Sequence, residues 1–321
     1  MGAQALDVQR ARLADEALHL FDAVPGDSET GQLGFPATVT VPGLLGCAAR
    51  PTVWRVADAI FAERRLAEVY DPLDPDRSDL DAYAAMVDEF GAQSVLDIGC
   101  GTGTFACLLA RRGRAVTAVD PAEASLAVAR RKPGADRVRW VHGYATDLPL
   151  LQVDLVTMTG NVAQVFLTDA AWAATLRAAY VALGPGGRLV FETRDPAARA
   201  WLEWNRERSY RRTVVSGVGP VQAWEDLLDV SGDLVLFRST VVFESDGAVL
   251  TSASTLRFRH RDEVTASLAA EDYVVDEVRQ APDRPGRELV FIARRATAPP
   301  APARPGGGRR RCRRRGLPRR R

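Results

Sequence analysis

From Ser94 to Arg194, short apolar runs alternate with stretches whose apolar residues recur at helical spacing. Val95-Leu96-Asp97-Ile98, Ala115–Val119 and the start of Val153–Phe166 read as short apolar strands. Strand–helix alternation of this kind predicts a parallel α/β sheet. Upstream, Val56–Asp71 has the spacing of one amphipathic helix, and Ser78–Phe90 predicts another, with Ser78 as N-cap and acids in its first turn. Between Arg211 and Arg259 the period changes to two. That alternation, with Ser231-Gly232-Asp233 and Ser245-Asp246-Gly247 as turns, predicts an antiparallel insertion of three or four strands. Arg261–Asp272 returns to helix, and Tyr273–Gln280 and Glu288–Arg295 read as a closing antiparallel pair.

Composition fits a globular chain, with 46% hydrophobic and 26% charged residues in a length of 321. Three segments are expected: an extension over 1–58, a folded domain over 59–296 with its β insertion at about 208–259, and a disordered tail over 297–321. Within the extension, Gln4–Ala23 has the pattern of a short amphipathic helix and Phe35–Leu45 is β-prone. The net charge of +1 hides an asymmetry, because residues 304–321 hold ten arginines and no acids, leaving the remainder acidic by nine charges. Such a tail is either an anchor for nucleic-acid phosphates or an extension without chemistry. No run of about 18 apolar residues suggests a membrane span, and the N-terminus lacks an apolar signal core. Cys47, Cys100, Cys107 and Cys312 have neither metal nor disulfide spacing, so no metal site and a reducing, cytoplasmic setting are expected.

The densest chemical signal is Val95–Ala106, VLDIGCGTGTFA. A strand runs into Gly99, Gly101 and Gly103, and a helix begins at once, so a ligand can approach the backbone where any β-carbon would stand in the way. Asp97 precedes the turn, and Asp120 ends the next strand seventeen residues after Gly103, where it can accept hydrogen bonds from ribose hydroxyls. The overlapping stretch Gly101–Ala106 also fits the G-x-G-x-x-G/A fingerprint of NAD(P)-dependent oxidoreductases. Asp97 separates the two readings, because it would repel a pyrophosphate and attract a cofactor bearing an amino group and a sulfonium.

With Asp97, Gly99, Gly101 and Gly103 matching D-x-G-x-G-x-G, the chain resembles the class I S-adenosylmethionine-dependent methyltransferases. The resemblance extends over roughly residues 60–295, with Arg137–Pro149, Val153–Phe166, Leu183–Pro196 and Glu288–Arg295 in the family's order. It implies a doubly wound, seven-stranded, mostly parallel Rossmann-like sheet and S-adenosylmethionine (SAM) as cofactor. It also implies that Gly99, Cys100, Gly101 and Gly103 pack against the methionine part, that Asp97 anchors its amino end, and that Asp120 and Pro121 lie at the ribose. Tyr144, Ala145 and Thr159 fall in the loops around adenine and the cofactor, and Tyr70 resembles a tyrosine that closes over it. One departure is Gly143-Tyr144-Ala145, where the family often has Gly-Asp-Ala. Asp147 or a backbone carbonyl would then read the adenine amino group.

The loops after the fourth and fifth strands should face the methyl acceptor. His142, Glu192 and Asn161 are the catalytic candidates: His142 and Glu192 as titratable groups, with Asp195 beside the latter, and Asn161 with Gln164 as orienting groups. His142 also has a structural role open to it as a packed histidine, and Glu192 and Asp195 as caps of the following helix. Trp201, Trp204 and Trp224 either line an apolar acceptor pocket or pack in the core. The fourth-strand loop TGNVAQVF lacks the (D/N)-P-P-(Y/F) of nucleobase amino-methyltransferases and a Pro-Cys nucleophile. Lys132, the only lysine, cannot form a Lys-Asp-Lys-Glu tetrad. A small-molecule acceptor is therefore expected, on a monomer or homodimer, with RNA methylation through the arginine tail and oxidoreduction as rivals.

Overall fold

The computed structural model describes residues 57–296. The expectations for Gln4–Ala23, Phe35–Leu45 and the arginine tail lie outside the described residues. The chain enters through α1 (Ala59–Ala62), α2 (Arg64–Leu73) and α3 (Asp79–Glu89). The single helix expected over Val56–Asp71 is broken at Glu63, which adopts an extended conformation. The Glu63 carboxylate accepts the Leu66 N–H at 2.9 Å, so an acid that fits a continuous helix by spacing instead caps a new one. Ser78 makes no side-chain cap for α3, and Asp76 Oδ1 accepts the Ser78 N–H instead.

The central elements follow as β1 (Ser94–Ile98), α4 (Thr104–Arg111), β2 (Ala115–Asp120), α5 (Glu123–Ala129), β3 (Val138–His142) and β4 (Val153–Met158). Then come α6 (Asp169–Ala182) and β5 (Leu183–Arg194). After a short helix α7 (Arg206–Ser209), the insertion comprises β6 (Arg211–Val215), β7 (Gly219–Ser231), β8 (Leu234–Phe243) and β9 (Ala248–Arg257). Helix α8 (Arg261–Ala270) leads to β10 (Tyr273–Gln280) and β11 (Glu288–Arg295).

The main sheet has seven strands in the order β10-β11-β5-β4-β1-β2-β3, and β11 is antiparallel to both its neighbours. The insertion is a separate four-stranded antiparallel sheet, β6-β7-β8-β9. The chain runs outward from β1 to β3 and then returns to place β4 beside β1. That reversal opens a crevice at the carboxyl ends of β1 and β4, where ligands bind in sheets of this kind.

Both faces of the main sheet are covered. Leu96, Met158, Trp172, Phe191 and Phe291 form the core on one face, and Leu80, Val95, Phe105, Leu109 and Val190 form it on the other. Burial on both faces explains why these strands read as continuous apolar runs. Helix α2 serves the insertion instead, packing Leu66, Val69 and Leu73 against Val221, Val241 and Phe243. The antiparallel sheet is thereby fastened to the same helix that ends at the crevice. Trp201 meets Phe258 edge-on at 4.6 Å and Trp204 lies 4.6 Å from Phe237, so of the two roles open to these tryptophans the structure shows packing. Trp224 is covered by the Arg206 guanidinium at 4.2 Å.

Candidate functional site

The glycine turn closes on itself and on β2. Gly99 N–H and Cys100 N–H both donate to Val119 O, at 2.8 and 3.2 Å, and Gly101 N–H donates to Asp120 Oδ2 at 2.8 Å. All three glycines have positive φ, +71°, +52° and +74° in order, which glycine adopts without strain. Their surroundings differ. A β-carbon at Gly99 would stand 2.7 Å from the Val162 side chain, and one at Gly103 would stand 2.5 Å from the Trp140 ring. At Gly101 nothing lies within 4 Å, so this glycine alone faces open space.

Two acids flank the turn. Asp97 is 1% exposed, and the β1–β4 register sets it opposite Thr157, whose hydroxyl donates to Oδ1 at 2.9 Å. Its Oδ2 is buried without a hydrogen-bond partner. Burial, reinforced by the Asp120 charge, pushes the Asp97 carboxyl up to about 7 against the Thr157 hydrogen bond. Asp120 ends β2 and receives Gly101 N–H on one oxygen and Ala122 N–H on the other, at 2.8 Å each. It too is raised by burial, which those hydrogen bonds oppose.

The remaining residues expected at the cofactor surround this turn. Cys100 sits half-buried within it, its thiol pushed well up by burial and then by Asp97 and Asp120. Pro121 O lies 3.0 Å from His142 Nε2, and the other ring nitrogen lies 3.6 Å from Glu123. Asp147 Oδ2 accepts Tyr144 N–H at 3.1 Å, so this acid braces the loop that it was expected to serve as an adenine reader. Ala145 is buried beside it, and Thr159 follows β4 half-buried. Tyr70 lies in the last turns of α2, its ring centroid 5.5 Å from that of Phe61. Neighbouring Asp71 accepts the Thr102 hydroxyl at 2.7 Å and the Lys132 ammonium at 2.6 Å, and Lys132 also donates to Thr104 at 2.6 Å. This knot ties α2 to the glycine turn. Sequence reasoning missed it, because Asp71 lies 31 residues before Thr102 and no motif joins them.

Beyond β4 and β5 lies a polar cavity of about 120 Å³. Tyr70, Asp74, Arg77, Asp79 and Tyr83 line one side; Gly160, Asn161, Glu192 and Arg194 line a second. Asp283, Arg284 and Glu288 close the third. Glu192 is 5% exposed, and its Oε1 accepts Gly160 N–H at 2.5 Å and Asn161 N–H at 3.1 Å. Burial and then the Glu288 charge push Glu192 up to about 7, with the two backbone donors and Arg194 opposing. Asn161 is held at φ +61°, donates through Nδ2 to Glu288 Oε1 at 3.3 Å, and keeps a buried Oδ1 without a partner. The Tyr83 hydroxyl is likewise buried and unpartnered. Of the three catalytic candidates, the structure brings Glu192 and Asn161 together here, while His142 belongs to the β2–β3 edge. Gln164 is buried beside them and accepts from Arg194 Nη1 at 2.9 Å. Glu288, Arg284 and Tyr83 carried no signal in the sequence, since only the β5–β11 register sets Arg194 against Glu288.

Residues 95–187, which hold the glycine turn, β4 and its loop, match the family model described as a methyltransferase domain. Residues 95–187 are thus similar to methyltransferase domains, and the described chain has the fold of solved methyltransferases. A demethylmenaquinone methyltransferase of Clavibacter sepedonicus is 40% identical over 101 residues, covering 30% of this chain and 40% of that protein. The chain thus spans less than half the length of the curated relatives it matches first. Two of these solved structures illustrate the shared fold. The CcbJ methyltransferase of Streptomyces caelestis has a TM-score of 0.61 at 21% identity, covering 74% of this chain and 98% of its own. The sugar N-methyltransferase KedS8 of a Streptoalloteichus species has a TM-score of 0.58 at 22% identity, covering 83% and 100%. Among the described residues no helix is long and apolar enough to cross a membrane, and no cluster of three potential metal ligands occurs.

Proposed function

We propose that this chain transfers a methyl group from SAM to a small-molecule acceptor. The observation that carries this reading is Asp97 Oδ2, a buried carboxylate oxygen left without a donor at the end of β1, two residues before the glycine turn begins. A buried acceptor without a donor is costly, and a ligand ammonium removes that cost. The amino group of SAM is such a donor, whereas a dinucleotide pyrophosphate would meet the same acid as a repulsion. Asp97 would hold the amino end, with Gly99, Cys100, Gly101 and Gly103 along the methionine. Asp120 and Pro121 would lie at the ribose, and Tyr144, Ala145 and Thr159 around the base, with Tyr70 over the cofactor from α2. When bound, SAM supplies an electrophilic methyl carbon on a positively charged sulfur. The chain's own contribution is to align the acceptor in the cavity beyond β4 and β5, to exclude water, and to take up a proton at Glu192. Cys100 and Cys107 are free thiols, which suits a reducing, cytoplasmic setting, where we expect a monomer or homodimer. The test is thermal unfolding with S-adenosylhomocysteine. A hundredfold excess over its Kd should stabilise the full chain by about 2.7 kcal/mol. Replacing Asp120 with Ala should weaken binding by about 1–3 kcal/mol through the lost ribose acceptors, and an unchanged affinity would remove Asp120 from the site.

A further inference from the structure

The cavity beyond β4 and β5 has a definite hydrogen-bonding polarity. Its three arginines are already engaged. Arg77 pairs with Asp79 at 3.2 Å, and Arg284 pairs with Glu288 at 2.9 Å and Asp283 at 3.3 Å. Arg194 donates to Gln164 and lies 3.7 Å from Glu288. The acceptors are left over. Both hydrogen bonds to Glu192 fall on Oε1, and Oε2 of this lining residue takes none among the described residues. Asn161 Oδ1 is buried in a side chain 4% exposed and has no donor, and the Tyr83 hydroxyl, 2% exposed and able to accept as well as donate, also lacks a partner. Asp74 at the rim has no ion pair among the described residues. Five carboxylates line the cavity against three arginines. Among the described residues lining it, a carboxylate or phosphate ligand would find no free cation, and a single hydroxyl proton could satisfy only one of the waiting acceptors. An ammonium brings three donors and a positive charge. Asp97, assigned above to the cofactor's own amino group, is not part of this lining.

We infer that the acceptor is an aliphatic amine, held as its ammonium by Glu192, Asn161 and Tyr83, and that the enzyme is an N-methyltransferase. This rests on the reading of the fold as a working SAM site. Glu192 Oε2 takes one proton from the bound ammonium, which frees the nitrogen lone pair. The nitrogen then forms the N–C bond to the methyl carbon, leaving the C–S electron pair on sulfur. The products are a methylated ammonium, a neutral thioether and a protonated Glu192, which returns its proton to solvent.

Calorimetry on the full chain saturated with S-adenosylhomocysteine tests this with three probes of one shape: cyclohexylamine, cyclohexanol and cyclohexanecarboxylate. The amine should bind at least about tenfold more tightly than the alcohol, and the carboxylate most weakly. Glu192→Gln should cost the amine about tenfold and leave cyclohexanol unchanged, because the amide still accepts Gly160 and Asn161 N–H through its oxygen. Asp74→Asn should give a smaller loss of the same sign. Retained affinity for S-adenosylhomocysteine in each variant shows that it is folded. No binding of the amine, or an alcohol or carboxylate that binds as well, overturns the amine assignment alone. A wild-type chain that fails to bind S-adenosylhomocysteine overturns the cofactor reading on which it rests.

Discussion

Asp97 joins the cost of burial to the chemistry expected at the turn. In the folded chain its carboxyl holds a proton up to about pH 7, against an ordinary value of 3.8, and Glu192 behaves alike from 4.5 to about 7. The folded state therefore binds more protons than the unfolded chain across that window. The stability these groups contribute is fully present below their ordinary values and is lost as pH rises to about 7. Urea unfolding of the ligand-free chain should show a lower midpoint at pH 7.5 than at pH 5.5, with the difference reduced in Asp97→Asn. Cofactor binding should run the other way, since an ammonium favours ionised Asp97; affinity for S-adenosylhomocysteine should rise over the same window and flatten in that variant. The glycines make a second contrast. Gly103→Ala shares the positive-φ cost of Gly101→Ala and also drives a methyl into Trp140, so it should cost about 1–3 kcal/mol of stability beyond that variant. Gly101→Ala meets nothing in the protein, so it should cost about 1 kcal/mol for its positive φ and lose proportionately more cofactor affinity. Equal losses of stability at the two positions would contradict an open turn at Gly101.

Helix α2 stands between two jobs. One face packs the insertion sheet through Leu66, Val69 and Leu73, while Asp71 at its end binds Thr102 and Lys132 at the glycine turn. Lys132 is drawn down by burial while Asp71 favours its charged form, and the pair is only partly exposed. Replacing Asp71 by Ala should therefore weaken S-adenosylhomocysteine binding severalfold by loosening Tyr70 and the turn together, with the insertion sheet intact by circular dichroism. Affinity equal to wild type would show that the knot does not position the site. The same helix shows what local pattern conveys. Its apolar spacing was legible, but the break at Glu63 was not, because a glutamate suits both a helix interior and a cap until the chain direction is known.

Across the whole molecule, the readable parts were those set by local periodicity. Buried parallel strands produce continuous apolar runs and a half-exposed insertion produces alternation, so both sheets could be placed from the sequence. The glycine turn was legible for a similar reason: Asp97, Gly99, Gly101 and Gly103 lie within seven residues of chain. The cavity was not, because its walls come from segments near 70–83, 160–161, 192–194 and 283–288 that only the strand order brings together. Glu192 was a candidate by topology alone; the like charge of Glu288 beside it emerged only with the antiparallel register of β11, which sets Glu288 opposite Arg194. The turn with its orphaned Asp97 oxygen should accept an amino-bearing adenosyl cofactor. Calorimetric titration of one sample with S-adenosylhomocysteine and with NAD addresses this most directly. We predict a one-to-one complex with S-adenosylhomocysteine at a Kd of about tens of micromolar or tighter and no heat from NAD. Binding of NAD, or silence from the adenosyl ligand, would contradict the account.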